Sequence, residues 1–341
     1  MKFETLTVGA VEPICEDGLV ITFDVPEAQR AALSFRAGQH LTVDERLRRS
    51  YSICSTPAEL TERGRLRIGV RLLPEGEFSA VATRLQKGDT LRVLPPLGGF
   101  TSAFDPTRSR RYGAVVAGSG VTPVLSLVAT ALAVEPRSTF AVICGNRTSA
   151  SAFAVDELAD LKDRHPDRLQ VLHVLSREPG AALHGRLTRE LVQELLPVVG
   201  PVDEWFLCGP LGMVESAREA IATTGAQVHV ELFHVGAPPT PVAAPEGDLG
   251  EVSVSMRLDG RETSFTMGFG ERVLDAALRH RPELPYACRG GVCSTCRAKV
   301  LDGAVTMEAN WALEPFETAA GYVLTCQSHP TTDRLIVDYD A

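Results

Sequence analysis

The sequence lacks an excess of positive charge. It carries 34 Lys and Arg against 43 Asp and Glu, a formal net charge of −9, which argues against nonspecific nucleic-acid binding. A secretory leader is also missing: MKFETLTVGAVEP has no basic segment followed by an apolar one, so the expected location is cytoplasmic. Cysteine is sparse for the length, eight in 341 residues, which excludes a disulfide framework of the kind that staples small secreted domains. One uncharged run is long enough to cross a bilayer, GAVVAGSGVTPVLSLVATALAV at 113–134. Its glycines and Pro123 interrupt it, and a buried strand, a tight turn and a buried helix give the same pattern. No internal repeat is present.

What is there divides into stretches of different periodicity. Up to about residue 104, ITFDV, HLTVDE, RSYSICS, RLRIGVRLL and DTLRVLPP alternate apolar and polar positions between turns, with one helical interruption at SAVATRLQK. This predicts an antiparallel β-barrel over 1–104. Over 105–235, the apolar strands YGAVVA, FAVICG, LQVLHVLS, EWFLCG and VHVELF alternate with helical segments, which predicts an α/β doubly wound parallel sheet. Residues 236–249 hold four prolines and little to bury, and read as a linker. Over 250–341, a hairpin turning at Asp259-Gly260, a helix in ERVLDAALRHR, a cysteine-rich loop and two further strands are expected.

Four of the eight cysteines are scattered, at Cys15, Cys54, Cys144 and Cys208. The other four form C-x4-C-x2-C, Cys288, Cys293 and Cys296, with Cys326 following after 29 residues. Plant-type [2Fe-2S] ferredoxins use this spacing. A tight loop wraps three thiolates round one side of a two-iron cluster, and a neighbouring strand supplies the fourth. Gly290 and Gly291 permit unusual backbone angles and bring N–H groups toward sulfur. A four-cysteine zinc site is the alternative, but it usually shows two paired C-x2-C knuckles. The eight histidines show no ligand spacing and read as surface or packing residues, and Trp311 reads as local packing.

Further motifs point to a flavin and a nicotinamide. Arg49-Ser50-Tyr51-Ser52 resembles the R-x-Y-S flavin motif of the ferredoxin–NADP reductase superfamily. There Arg49 neutralises a phosphate, Tyr51 offers a flat face to the isoalloxazine and Ser52 bonds its polar edge. GEFS, with Gly76, Phe78 and Ser79, opens a helix whose free N–H groups suit the flavin pyrophosphate. GSGVTP follows an apolar strand, and its Gly118, Gly120, Thr122 and Pro123 match that superfamily's G-x-G-x-T-P. Cys208-Gly209-Pro210 matches its C-G-P, which sets the cysteine beside the nicotinamide.

No acid ends the second strand of the parallel sheet, where an NAD enzyme would hold the ribose. Ser176-Arg177 ends the third strand and suits the 2′-phosphate of NADPH. By resemblance, Glu231 and Phe233 of HVELF lie near the flavin ring, and Cys208 and Glu231 are the catalytic pair.

In the order of its parts the chain resembles the reductase components of multicomponent oxygenases. It is nearest those that serve phenylacetyl-CoA epoxidases and next those of 3-ketosteroid 9α-hydroxylases. The resemblance implies FAD, a [2Fe-2S] cluster and NADPH as cofactors, a β-grasp fold for the ferredoxin domain, and a di-iron oxygenase as partner, with no nucleic acid and no membrane. It also implies an enzyme, since an electron-carrier module on an inactive flavodomain would not need the glycine turn and the C-G-P segment. The compact TVDERLRRSYS predicts a short loop before the flavin motif.

Overall fold

The computed structural model describes residues 2–45, 48–233 and 250–341. The expected linker, 236–249, and Arg46 and Leu47 of the loop before the flavin motif lie outside the described residues. The chain divides into two compact units, one spanning Glu4–Phe233 and a second that takes in 250–341.

The first unit opens with β1 (Glu4–Cys15), β2 (Gly18–Asp24), α1 (Glu27–Arg30), β3 (His40–Asp44), β4 (Arg48–Ser52), α2 (Pro57–Arg63), β5 (Arg65–Arg71), α3 (Glu77–Ala82) and β6 (Thr90–Leu97). The strands pair antiparallel in the order β4-β3-β6-β1-β2-β5. A bridge between Ile53, just past β4, and Ile68 on β5 brings the two edge strands together. Closure removes the exposed edges. Alternation sets what each face does. Ile21 and Phe23 of β2 and Leu66, Ile68 and Val70 of β5 fill the interior. Val20 and Gly69, one residue out of phase, face the next domain.

That domain comprises β7 (Arg111–Ala117), α4 (Val121–Val134), β8 (Thr139–Asn146), α5 (Val155–Arg164), β9 (Leu169–Leu175), α6 (Arg189–Val199), β10 (Glu204–Cys208), α7 (Leu211–Ile221) and β11 (Gln227–Glu231). Its sheet is wholly parallel, in the order β11-β10-β7-β8-β9. The order reverses between β7 and β10, and at such a switch point a crevice opens beyond the strands' carboxyl ends. The uncharged run 113–134 is β7 followed by α4. Ten residues of α4 are buried because the helix lies against the sheet on one side and the barrel on the other. Val20, Ala37, Cys54 and Phe100 of the barrel share one apolar core with Val121, Val124, Leu125 and Val128. No helix among the described residues is long and apolar enough to cross a membrane.

The seam is also polar. Ser126 Oγ donates to Ser55 O at 2.6 Å, and Arg67 pairs with Glu157. Gly18 and Gly69 keep it close: a Cβ at Gly18 would lie 2.3 Å from the Phe153 ring, and one at Gly69 would lie 2.4 Å from Thr122 Cγ2.

The second unit holds β12 (Glu251–Leu258), β13 (Arg261–Gly268), α8 (Val273–Leu278), β14 (Arg297–Asp302), β15 (Val305–Met307), α9 (Pro315–Ala319), β16 (Tyr322–Leu324), β17 (Ser328–Pro330) and β18 (Arg334–Asp338). Its main sheet runs β13-β12-β18-β14-β16, with β12 and β18 parallel and the other pairs antiparallel, and it packs on α8. This is the mixed sheet of a β-grasp. Asp259 and Gly260 both take positive φ at the hairpin turn, +52° and +71°. Their N–H groups donate to the Asp340 carboxylate, each at 2.8 Å. The helix is shorter than ERVLDAALRHR suggests, and β14, β15, α9 and β17 have no counterpart among the expected elements.

At the amino end of β10 sits Glu204, 3% exposed. Its carboxylate accepts from His229 at 2.9 Å and from Arg110 and Ser102 at 3.2 Å each. Burial alone would raise its pKa. The bonds from His229 and Ser102 and the Arg110 charge bring it below the ordinary value. A carboxylate depressed on folding stabilises the fold above its unfolded value, about 4.3 for Glu. That contribution is lost as the pH falls through the folded value. Glu204→Gln should therefore lower the denaturant midpoint at neutral pH, and the gap from the unaltered protein should narrow as the pH drops below about 4. A gap constant with pH would show that the carboxylate's charge is not what stabilises.

Candidate functional site

The carboxyl ends of β10 and β11 carry Cys208 and Glu231, paired across the two strands. The barrel supplies the opposite wall. Ser52 Oγ at the end of β4 donates to Glu231 Oε2 at 3.1 Å, between groups 179 residues apart in sequence. His40, paired with Ser52 across β3 and β4, sets its Nδ1 3.8 Å from Glu231 Oε1. Its Nε2 is buried with no partner among the described residues. A buried ring nitrogen without a partner is the kind of atom that the polar edge of a planar cofactor would satisfy, so the residues fit a flavin at this place. Cys208 is fully buried, and burial first, then the Glu231 charge, pushes its thiol well above the ordinary value. It is an uncharged, shape-defining group here rather than a thiolate nucleophile.

Tyr51 lies half-buried on β4, its ring 4.8 Å from that of Phe78 on α3. Gly76 caps α3. The Ser79 hydroxyl accepts from the Leu73 N–H at 2.9 Å, so it folds the GEFS turn and keeps its own proton free to donate. Arg49 is exposed, and its guanidinium donates to the Arg48 carbonyl at 3.0 Å. Ser50 lies 3.3 Å from Thr42 Oγ1.

Gly118 to Gly120 form a single 3₁₀ turn between β7 and α4. Gly118 has φ +54°, and a Cβ there would lie 3.0 Å from Arg71 Nη2. A Cβ at Gly120 would lie 2.2 Å from the Cys208 carbonyl oxygen. The glycine turn and the C-G-P segment are thus packed backbone to backbone. Thr122 donates to Ser119 O at 2.8 Å and closes the turn, while Pro123 is buried in the first turn of α4. Gly209 is buried and Pro210 caps α7. Phe233 is 41% exposed.

Beyond the ends of β8 and β9, Ser176 Oγ donates to Asn146 O at 3.2 Å, and the Arg177 N–H donates to Arg147 O at 2.8 Å. Arg177 is exposed. Arg147, whose carbonyl takes that bond, is exposed too, but its guanidinium donates to Asp17 Oδ2 at 2.6 Å. Arg147 lies in the GNRT segment, whose missing acid is the only signal it gives in sequence. Arg71, which also pairs with Asp17, and His40 carry no motif either. Three histidines that read as surface or packing groups instead meet carboxylates: His40 with Glu231, His229 with Glu204, and His329 with Glu308 at 2.6 Å.

In the second unit the four motif cysteines are free and form two pairs. Cys288 hydrogen-bonds with Cys293, and Cys296 with Cys326. No group of three or more His, Cys, Asp or Glu among the described residues converges on a single ion. A tetrahedral zinc draws four sulfurs to one centre at about 2.3 Å, whereas a two-iron cluster takes two thiolates on each iron. The residues present fit the cluster. The Gly290 N–H approaches Cys288 Sγ at 3.4 Å. The bond between Cys288 and Cys293 and the N–H groups of Gly290, Val292 and Cys293 lower the Cys288 thiol to about 5 against the effect of burial. Of the two glycines only Gly291 takes positive φ, +76°; the loop's other left-handed positions are Arg289 and Ser294. Trp311 is not packed away: it is 40% exposed, and its N–H donates to Gly291 O at 3.0 Å.

Gly120→Ala should force the glycine turn and the Cys208 strand end apart. Overpacking of this kind costs about 1–3 kcal/mol, so the melting temperature should fall by several degrees and the yellow chromophore should bind less well. An unchanged melt would mean that the two backbones do not touch.

Three families match, in order along the chain. Residues 5–102 match the oxidoreductase FAD-binding domain, 115–219 the oxidoreductase NAD-binding domain and 256–331 the 2Fe-2S iron-sulfur cluster binding domain. The chain is 42% identical to one of the subunits of the 1,2-phenylacetyl-CoA epoxidase of Escherichia coli, over 99% of this chain and 98% of that one. It is 31% identical to the ferredoxin reductase component of the 3-ketosteroid-9-alpha-monooxygenase of Rhodococcus rhodochrous, over 98% and 96%. Phthalate dioxygenase reductase, a solved structure, shares the fold with a TM-score of 0.59 at 22% identity, over 98% of each chain. The chain therefore belongs to the ferredoxin reductases built from FAD-binding, NAD-binding and 2Fe-2S domains, and is an NAD(P)H-dependent electron-transfer oxidoreductase.

Proposed function

We propose that the chain takes electrons from NADPH and passes them through FAD and a [2Fe-2S] cluster to an oxygenase, a di-iron phenylacetyl-CoA epoxidase. The observation that carries this reading is the meeting of Cys208 and Glu231 with Ser52, two strand ends of the nicotinamide domain against the flavin strand of the barrel. The named partner follows the relative that is 42% identical. A 3-ketosteroid 9α-hydroxylase is the second reading, on the 31% relative.

When bound, the flavin turns the nicotinamide's two-electron donation into single electrons, which the cluster takes one at a time. The chain's own residues position and shield. Gly118, Gly120 and Thr122 bring backbone against the dinucleotide pyrophosphate with Arg71 alongside, and Pro123 starts the helix behind it. Cys208, Gly209 and Pro210 shape the slot for the nicotinamide ring. Ser52 holds the flavin's polar edge while its hydroxyl donates a hydrogen bond to Glu231. Arg49, Ser50, Tyr51, Gly76, Phe78, Ser79 and Phe233 bound the flavin, with Arg49 on a phosphate. Ser176 turns the backbone so that Arg177 faces the 2′-phosphate. Cys288, Cys293, Cys296 and Cys326 would hold the [2Fe-2S] cluster. The flavin domain is assigned to 1–104, the nicotinamide domain to 105–235, the linker to 236–249 and the ferredoxin domain to 250–341.

Rapid mixing with NADPH tests the enzyme against an electron-carrier module, since only a reductase bleaches its own flavin. Arg177→Ala should raise the Michaelis constant for NADPH roughly tenfold, the scale of one lost charge-assisted hydrogen bond. NADH use should be nearly unchanged; equal losses with both nucleotides would remove the 2′-phosphate from the assignment. Cys326→Ser should abolish the iron–sulfur absorbance and leave the flavin bound, read from iron and acid-labile sulfide content. Zinc without labile sulfide in the unaltered protein would overturn the cluster assignment.

A further inference from the structure

Gln327, next in sequence to the distant fourth cysteine, has no surface exposed at all. Its side-chain nitrogen donates to the Arg289 carbonyl at 2.8 Å, to the Cys326 carbonyl at 2.8 Å and toward Cys326 Sγ at 3.6 Å. Two carbonyl oxygens at bonding distance fix which end of the amide is which, because the opposite orientation would set oxygen against oxygen. Two N–H groups then serve three acceptors. One reaches Arg289, and the other is shared between the carbonyl and the sulfur of Cys326.

The other end of the amide is unusual. Gln327 Oε1 is buried and has no donor among the described residues. Burying an amide with its carbonyl unsatisfied is unfavourable, and an aliphatic chain of the same length would fill the space at lower cost. The amide's place in the core is explained by what its N–H groups do.

Its neighbours restrict it to that role. The Glu308 N–H donates to the Gln327 main-chain carbonyl at 2.8 Å. Gly291 of the cysteine loop comes so close that a Cβ there would lie 3.2 Å from Gln327 Cγ. On the other side of Cys326, Thr325 Oγ1 donates to the Cys296 carbonyl at 2.9 Å. Cys326 is therefore tied to the loop on both sides, but of these two flanking side chains only Gln327 also reaches the sulfur.

We propose that Gln327 positions Cys326 against the three-cysteine loop and, through the N–H it directs at Cys326 Sγ, raises the reduction potential of the cluster. A donor to a ligating sulfur draws charge from it and favours the more negative, reduced cluster. The proposal rests on the assignment of Cys326 as a ligand, which the iron and sulfide content of Cys326→Ser tests separately.

The measurement is an EPR-monitored redox titration of the full chain, which follows the reduced cluster apart from the flavin. Gln327→Leu removes the donor, and Gln327→Glu replaces it with a carboxylate oxygen. Each should shift the cluster's equilibrium toward the oxidised form by tenfold or more, about 59 mV for a one-electron couple, with the larger shift in the Glu variant and the flavin potential unmoved. Variants that load a full cluster and titrate with the unaltered protein would overturn the proposal. If neither variant loads a cluster, the decision passes to the unaltered chain grown with glutamine labelled at the side-chain nitrogen. Pulsed EPR of its reduced cluster should then show coupling to that nitrogen, and no such coupling would overturn the proposal.

Discussion

Everything in the first unit depends on how closely two different sheets can approach. The barrel and the parallel sheet share a core through α4, and glycine sets the separation at each contact. Gly18 and Gly69 let the barrel wall come up to Phe153 and Thr122, and Gly120 lets the glycine turn lie on the Cys208 carbonyl. Side chains at these positions would wedge the layers apart. The Ser52–Glu231 bond at 3.1 Å exists only because that separation is small. A site assembled from the ends of strands in separate domains needs this kind of fixed spacing, since a displacement of about 1 Å is enough to degrade catalytic geometry.

Electrostatics follow from the same packing. Cys208 is sealed between β7 and β11 and stays protonated under the combined effect of burial and the Glu231 charge. At the opposite end of β10, Glu204 is as deeply buried but is met by His229, Arg110 and Ser102. Buried ionisable groups are tolerated when they are paired. The unpaired thiol stays neutral, and the carboxylate stays charged among its donors. Arg177 stands outside, in solvent, and Arg147 next to it is exposed and paired with Asp17.

The second unit solves a different problem. Three of the motif thiols share one loop, and the fourth, Cys326, comes not from a strand but from the 3₁₀ turn Thr325–Gln327 that follows β16. The chain manages this with tethers, Thr325 to the Cys296 carbonyl and Gln327 to the Arg289 carbonyl, which flank Cys326. The loop takes left-handed conformations at Arg289 and Ser294 as well as at Gly291. Non-glycine residues carry a local cost there, which the surrounding hydrogen bonds offset.

By itself the sequence determined many of the elements and their chemistry: the alternation of most barrel strands, the apolar strands of the parallel sheet, the glycine turn, and the C-x4-C-x2-C spacing with its remote partner. These are local signals, written in periodicity and in short motifs whose residues act together. What depends on long-range contact leaves no such mark. His40 reads as an ordinary histidine because Glu231 lies 191 positions further along the chain. Nothing local marks Arg147 as the neighbour of Arg177. Gln327 is indistinguishable in sequence from any polar residue after a cysteine. Only the tertiary structure decided these, because hydrogen bonds and burial are set by distance in space, and the pairing of strands brings together residues whose separation in sequence carries no pattern.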